Sequence, residues 1–149
     1  MINYFEAFIF SFLATAAFGI IFQAPKRTLW LCGLAGAVGW CIYKYMGQDF
    51  SSFYANLAAT IVLSVMCEIF ARITKEPTTI FIATAVIPLV PGLGMYKGMN
   101  KIISNSLDEG MSILMTAGTD SLAIALGVML VASFFRVLRV NSLKKLSLK

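Results

Sequence analysis

The fold of this chain is decided by residues 85–94, which read Ala85-Val86-Ile87-Pro88-Leu89-Val90-Pro91-Gly92-Leu93-Gly94. The stretch is apolar throughout, but two prolines stand three positions apart within it. A proline has no backbone N–H, so neither Pro88 nor Pro91 can bond the carbonyl four residues before it. Gly92 and Gly94 loosen the backbone of the same turn. The stretch therefore predicts a helix that is broken between Pro88 and Gly94.

The composition places this broken helix in a membrane. The 149 residues are 59% hydrophobic and 13% charged, with a mean hydropathy of +0.83. Soluble domains are roughly 45–50% apolar and about 25% charged. A soluble domain of this size still exposes about a third of its chain surface, and this sequence has too few polar residues to cover it. We therefore predict an all-α, polytopic membrane protein with no second soluble domain.

Five apolar segments are predicted to be transmembrane helices, because each is close to the length of about 20 residues that a bilayer requires. They cover residues 5–22, 28–46, 53–73, 78–96 and 111–135. Residues 1–135 thus form a transmembrane helical domain, and residues 136–149 form a basic tail. The tail is interpreted as a cytoplasmic anchor beside anionic lipid headgroups.

The basic residues predict the topology. If all five segments cross, nine of the 12 Lys and Arg residues share one side, and Lys44, Lys97 and Lys101 lie on the other. If the fourth segment turns back without crossing, the two sides carry six each. Cytoplasmic loops carry an excess of Lys and Arg. Five crossings of the cell (inner or plasma) membrane are therefore favoured, with the amino terminus outside and the carboxyl terminus in the cytoplasm.

Three of the predicted helices carry polar stripes, and the mildest, on the first segment, consists of Ser11, Thr15, Gly19 and Gln23. The stripe on the third segment repeats every four residues and consists of Asn56, Thr60, Ser64, Glu68 and Arg72. The stripe on the fifth segment includes Ser112, Thr116, Thr119 and Asp120. Residues at this spacing share one face of a helix. Small and polar residues on such a face let helices pack closely and form hydrogen bonds. The stripes are therefore either packing seams or the lining of a transport path.

Asp120 and Glu68 are the carboxylates placed to carry a proton or couple an ion within the membrane. Asp120 lies near the middle of its segment, where an ionised carboxylate costs at least about 2.5–3.5 kcal/mol. It must therefore face a cavity, find a partner or hold a proton, and transport and structural hydrogen bonding are equal alternatives. For Glu68, a structural ion pair with Arg72 competes with a proton role.

The broken fourth helix is the predicted substrate site. Non-helical backbone at membrane depth is tolerated only where it is buried in protein or lines water, and such breaks form substrate sites in many transporters. A half-helix beginning after Pro91 would direct free amide groups at a carboxylate. The predicted substrate-binding residues are Pro88, Pro91, Gly92, Gly94 and Tyr96. A plain proline kink is the alternative.

Several other functions are excluded or disfavoured. The chain has no histidine, which excludes His-based zinc sites and Ser-His dyads. Cys32, Cys41 and Cys67 show no ligand spacing, and the glycines of residues 33–39 do not match a dinucleotide fingerprint. Acid proteolysis needs two facing aspartates, and only Asp120 is deep. We therefore expect no enzyme, metal or cofactor. We also expect no nucleic-acid partner, because the membrane topology accounts for the net charge of +5.

Three motifs together resemble a known family. They are Ala24-Pro25-Lys26-Arg27, then Gly33, Gly36 and Gly39-Trp40, and finally Ala85-Val86-Ile87-Pro88-Leu89-Val90-Pro91-Gly92 with Tyr96 and Gly98-Met99. Through these motifs the chain resembles the threonine/serine exporter family, and the resemblance extends over nearly the whole chain. It is most similar to the small, split form, which corresponds to the carboxyl-terminal half of the fused exporters.

The resemblance implies a five-span subunit that works with a separate, larger five-span subunit bearing a cytoplasmic region. Family members export threonine and serine, and a two-subunit pair of this type exports succinate. Pro88, Pro91, Gly92 and Tyr96 take their places in the family motif, whereas Asp120 matches none. We thus expect a proton-coupled exporter of small carboxylate-bearing metabolites. The protein is expected to contact membrane lipid, and a higher oligomer is compatible with this arrangement. The alternative is a scaffold subunit that assembles the complex without transporting.

Overall fold

The computed structural model describes the backbone of residues 4–146 and the side chains of residues 4–138. Its helices are α1 (Tyr4–Ile21), α2 (Leu29–Met46), α3 (Ser52–Thr74), α4 (Thr78–Ala85), α5 (Gly92–Ile103) and α6 (Leu107–Leu146), and a 3₁₀ turn (Ile87–Leu89) follows α4. No strand occurs within the described residues. The predicted all-α class is confirmed.

The helices α1 and α2 form an antiparallel pair with very close backbones. The Ser11 hydroxyl donates a hydrogen bond to the carbonyl of Gly36 at 3.2 Å. A Cβ atom at Gly36 would lie only 2.2 Å from Oγ1 of Thr15. Small residues are what allow helix backbones to approach in this way within a bilayer. Cys32 and Ala35, on the same helix α2, are fully buried.

The helices α3 and α6 run parallel to each other. Three pairs of neighbours establish the direction: Ser52 with Asp120, Thr60 with Gly127, and Arg72 with Phe135. Since α6 passes α3 in the same direction, the chain must return between them to the end where α3 began. The segment that makes this return is the pair α4 and α5.

The return segment is broken where the two prolines predict a break. The axes of Thr78–Leu89 and Gly92–Ile103 differ by 48°. Pro91 has no N–H to donate to the carbonyl of Ile87, which instead accepts a hydrogen bond from the N–H of Val90 at 3.2 Å. The break predicted at Pro88 to Gly94 is thus present, but it is shorter than predicted, because Gly92 and Gly94 already belong to α5.

The two halves of the broken helix pack against different parts of the molecule. α4 packs against α2 and α3, and to a lesser extent against α1. α5 packs along α6, where Gly94 lies beside Ala117 and Gly98 beside Leu114. These two contacts show that α5 and α6 are antiparallel. The start of α5 therefore lies near the level of Asp120 on α6.

By length and apolar composition, three described stretches are able to cross a membrane, namely Tyr4–Ile21, Ser52–Thr74 and Leu107–Leu138. The bent pair of Thr78–Leu89 and Gly92–Ile103 makes a fourth if it is counted as one span. α2 is not among them, since its glycines, tyrosines and Lys44 dilute its apolar residues. The predicted number of five spans therefore stays a prediction.

The two largest differences from the predicted boundaries lie at the ends of the fourth and fifth segments, and α6 also begins four residues earlier than predicted, at Leu107. Residues 97–103, expected to be part of a polar connection, continue α5 because Gly98 lets that helix pack closely on Leu114. At the other end, α6 continues past residue 135 and includes the tail as far as Leu146. Residues 147–149 of the predicted tail lie outside the described residues. The assignment of residues 136–149 as a cytoplasmic tail stays a prediction.

The close α1–α2 contact predicts the effect of a single methyl group. Gly36→Ala should lower the free energy of unfolding by about 1–3 kcal/mol, because the new Cβ overlaps the stiff Thr15 side chain. Thermal unfolding in detergent or nanodiscs measures this change. Gly118→Ala is the matched control, since no atom lies within 4 Å of its Cβ position. Equal stability of the two variants would contradict the packing described.

Candidate functional site

The most buried charged group in the described chain is Asp120, and it is held by the first residue of α3. The Ser52 hydroxyl donates a hydrogen bond of 2.6 Å to Oδ2 of Asp120, and Nδ2 of Asn56 lies 3.4 Å from the same hydroxyl oxygen. Asp120 is 7% exposed and has no ion pair among the residues that the structure describes. Its other oxygen, Oδ1, is buried without a protein hydrogen-bond partner.

A row of buried polar side chains continues along α3 from this carboxylate. Asn56, Thr60 and Ser64 are each no more than 1% exposed, and they lie on the face of α3 that contacts α6. The carbonyl oxygen of the Asn56 side chain and the hydroxyls of Thr60 and Ser64 have no partner among the described protein atoms. We call Asp120, Asn56, Thr60 and Ser64 the polar row.

Close packing brings α6 against the polar row. A Cβ at Gly127 would lie 2.9 Å from Cβ of Thr60, so only glycine fits at this point of the contact. Ala123 and Val131, four residues before and after Gly127, are also buried. This face of α6 is therefore small and apolar, and it offers the row no hydrogen-bonding groups apart from Asp120. The polar atoms of the row are supplied almost entirely by α3.

A charged cavity lies one helical turn beyond the far end of the polar row. Glu68 follows Ser64 by four residues and pairs with Arg72 at 3.9 Å, as the structural alternative for Glu68 predicts. The Arg72 guanidinium also lies 4.9 Å from the ring centre of Phe135. These three residues, together with Lys75 and Arg136, line a cavity of about 1030 Å³. Because Arg72 is largely exposed, the ion pair contributes little to stability.

The predicted substrate-binding residues gather at the turn between α4 and α5. Pro88 and Pro91 are partly buried, whereas Gly92 is exposed and Tyr96 is 69% exposed. Gly94 is partly buried beside Ala117. The turn is thus covered by this chain on one side only. Whether these residues bind substrate stays a prediction.

Two residues of the predicted stripe on the fifth segment do not join the polar row. Thr116 and Thr119 are exposed on α6. Their hydroxyls donate to carbonyls of their own helix, at Ser112 and Thr116 respectively. They lie before Asp120, in the part of α6 that packs against α5 rather than α3. Only Asp120 of that stripe is placed against the polar residues of α3.

Sequence reasoning missed Ser52 as a functional residue. The predicted third segment begins at Phe53, yet Ser52 stands four residues before Asn56 and so continues the same spacing. That spacing was the available signal. The hydrogen bond to Asp120 could not be found from it, because the two residues are 68 positions apart.

Together, the apolar helices, the helix broken inside its span and the buried polar row define a polytopic membrane protein of the solute-transport class. A family model described as threonine/serine exporter, ThrE, matches residues 7–134. The chain belongs to this family, so it is a membrane exporter protein, and the predicted family is confirmed. No solved structure matches the chain.

The bond between Ser52 and Asp120 can be measured by a double-mutant cycle. Ser52→Ala should lower the free energy of unfolding by about 1–3 kcal/mol, because it leaves a second oxygen of Asp120 buried and unpaired. Combining it with Asp120→Asn should reveal a coupling of about 0.5–3 kcal/mol in thermal unfolding. Thr116→Ala serves as the control, since its hydroxyl is exposed. Strictly additive effects would argue against the bond.

Proposed function

We propose that this chain is the small subunit of a two-component secondary exporter for small carboxylate-bearing metabolites, coupled to protons. The substrates proposed are threonine, serine or a dicarboxylate such as succinate, and the membrane is the cell membrane. The proposal rests on the α4–α5 turn, which this chain covers on one side and leaves exposed on the other. Gly92 and Leu93 are exposed at a break that a bilayer tolerates only when protein or water covers it. A larger partner subunit supplies the missing cover.

The helix directions support five crossings. α6 runs parallel to α3, so the chain between them must return across the bundle rather than turn back at the basic end. That end holds Lys26, Arg27 and Lys75 in the α1–α2 and α3–α4 connections. By the excess of basic residues on the cytoplasmic side, it is proposed to face the cytoplasm.

The start of α5 is proposed to hold the substrate carboxylate. The first amide groups of a helix have no partner within that helix, and its dipole favours a negative charge there. In α5 these groups follow Pro91, and the N–H of Gly92 is used locally by the carbonyl of Val90 at 2.8 Å. Tyr96 stands one turn further along and is exposed beside the same turn. Threonine, serine and succinate all carry the carboxylate that this site would recognise.

A scaffold role is the second candidate, and one observation favours it. α5 and the first half of α6 expose large apolar side chains, which include Met95, Met99, Ile103, Met111 and Met115. Methionine-rich surfaces adapt readily to partner helices. A subunit that only docks a self-sufficient partner would use this surface and leave the broken turn without a role.

A bulky residue at the turn separates the two candidates. Gly92 has no atom within 4 Å of its Cβ position, so Gly92→Leu should fold. If the turn holds substrate, uptake of threonine, serine or succinate into inverted vesicles should fall by at least about tenfold, because a blocked site misplaces the substrate. The vesicles contain this chain with its larger partner.

Gly118→Leu is the matched control, since its Cβ position is equally open but lies within α6. Co-purification of the partner checks assembly of both variants. Full uptake by Gly92→Leu would favour the scaffold role. Unchanged uptake when this chain is deleted and the partner kept would refute a transport role altogether.

A further inference from the structure

Four unpartnered polar atoms lie in a line through the molecule. They are Oδ1 of Asp120, Oδ1 of Asn56, Oγ1 of Thr60 and Oγ of Ser64. Three of them come from α3 at intervals of four residues, which is about 6 Å along a helix. Glu68 follows at the same interval and lines the cavity at the basic end. The four atoms thus point from the buried carboxylate toward Glu68, the first residue of the row's spacing that lines the cavity.

The interval between these groups is too long for a direct hydrogen bond. A hydrogen bond between two oxygens spans about 2.7–2.8 Å, so groups about 6 Å apart cannot bond each other. A short chain of waters between each pair makes bonds of ordinary length. A buried water needs two to four polar partners, and adjacent members of the polar row provide them. The spacing therefore suits a single file of waters.

The hydroxyls of the row do not use the alternative partner that their helix offers. A Ser or Thr in a helix commonly donates to the carbonyl three or four residues earlier. In the described chain Thr74, Thr84, Thr116, Thr119 and Ser121 do so. Thr60 and Ser64 do not, although they are fully buried. Their hydroxyls are left available to a different partner.

We propose that Asp120, Asn56, Thr60 and Ser64 line a hydrated path that carries protons between Asp120 and the cavity at Glu68. Asp120 gives its proton to the adjacent water, each water passes one proton to the next, and Glu68 or cavity water accepts the last. Only O–H bonds break and form, and one positive charge moves. The proton role rests on the proposed export function, whereas the hydration of the row does not.

The charged groups differ between the two ends of the path. At the Asp120 end the described neighbours are the polar Ser52 and Asn56. At the cavity end Glu68 faces Arg72 on its own helix, Lys75 and Glu76 in the α3–α4 connection, and Arg136 on α6. Carboxylates within membrane-spanning segments mark proton paths in pumps and transporters. The carboxylate at each end gives the path a proton acceptor.

Hydration can be tested without any transport assay. In a background with Cys32, Cys41 and Cys67 replaced by alanine, Ser64→Cys and Thr60→Cys are exposed to silver ion in native-membrane vesicles. Silver ion is small, binds thiolates and arrives only through water. Both thiols should react at least about tenfold faster than a dry buried thiol, which is inert. Protection from later alkylation measures the reaction.

Thr15→Cys is the matched control, because Thr15 is equally buried with an unpartnered hydroxyl but lies at the α1–α2 contact. Faster reaction at positions 60 and 64 than at position 15 supports the path. Equal, slow reaction at all three positions overturns it. Thermal unfolding confirms that each variant is folded.

The proton role has its own readout. In vesicles with the partner subunit, Thr60→Val combined with Ser64→Ala should lower proton-driven uptake by at least about tenfold, as expected when a proton-transfer group is removed. One-for-one exchange of labelled substrate needs no net proton and should be retained, and Thr15→Val should change neither. Unchanged proton-driven uptake in the double variant overturns the proton role. If the unaltered chain transports nothing, the export proposal fails, and silver access still decides the path.

Discussion

The parallel contact between α3 and α6 is the constraint on which the rest of the structure depends. At one end of this contact Ser52 donates a hydrogen bond to Asp120, and in the middle Gly127 packs against Thr60. Because the two helices point the same way, the chain between them has to return. The broken helix forms this returning segment. Among its larger contacts, the second half of the broken helix packs only against α6. The position of the turn thus follows from how α6 lies on α3.

Burying the polar row inside such a contact costs free energy of folding. Each buried polar group without a partner costs about 1–3 kcal/mol. The α1–α2 contact also buries two hydroxyls, but the hydroxyl of Ser11 donates to the carbonyl of Gly36, so only that of Thr15 lacks a partner there. The α3–α6 contact buries three such groups on one helix, at positions 56, 60 and 64, opposite a small apolar face. This higher density of unpartnered polar atoms is what the proposed hydrated path accounts for.

Local patterns in the sequence predicted the parts of the site that local geometry determines. The four-residue spacing on α3 predicted one polar face, and two prolines predicted a broken helix, because both depend on residues within one or two turns. The bond from Ser52 to Asp120 joins residues 68 positions apart and depends on the parallel packing of α6. The same packing separates Asp120 from Thr116 and Thr119, which share its stripe in sequence but point away from α3. Residues 97–103 became helical for a similar reason, since Gly98 packs on Leu114.

α6 contacts both the start of α5 and the start of the polar row. Ala117 of α6 packs beside Gly94 at the start of α5, and Asp120, three residues later, holds Ser52 at the start of the polar row. Three residues are less than one helical turn, so a shift of α6 that opens one contact also disturbs the other. The same short segment of α6 thus carries both the buried carboxylate and the residue that packs beside the start of α5.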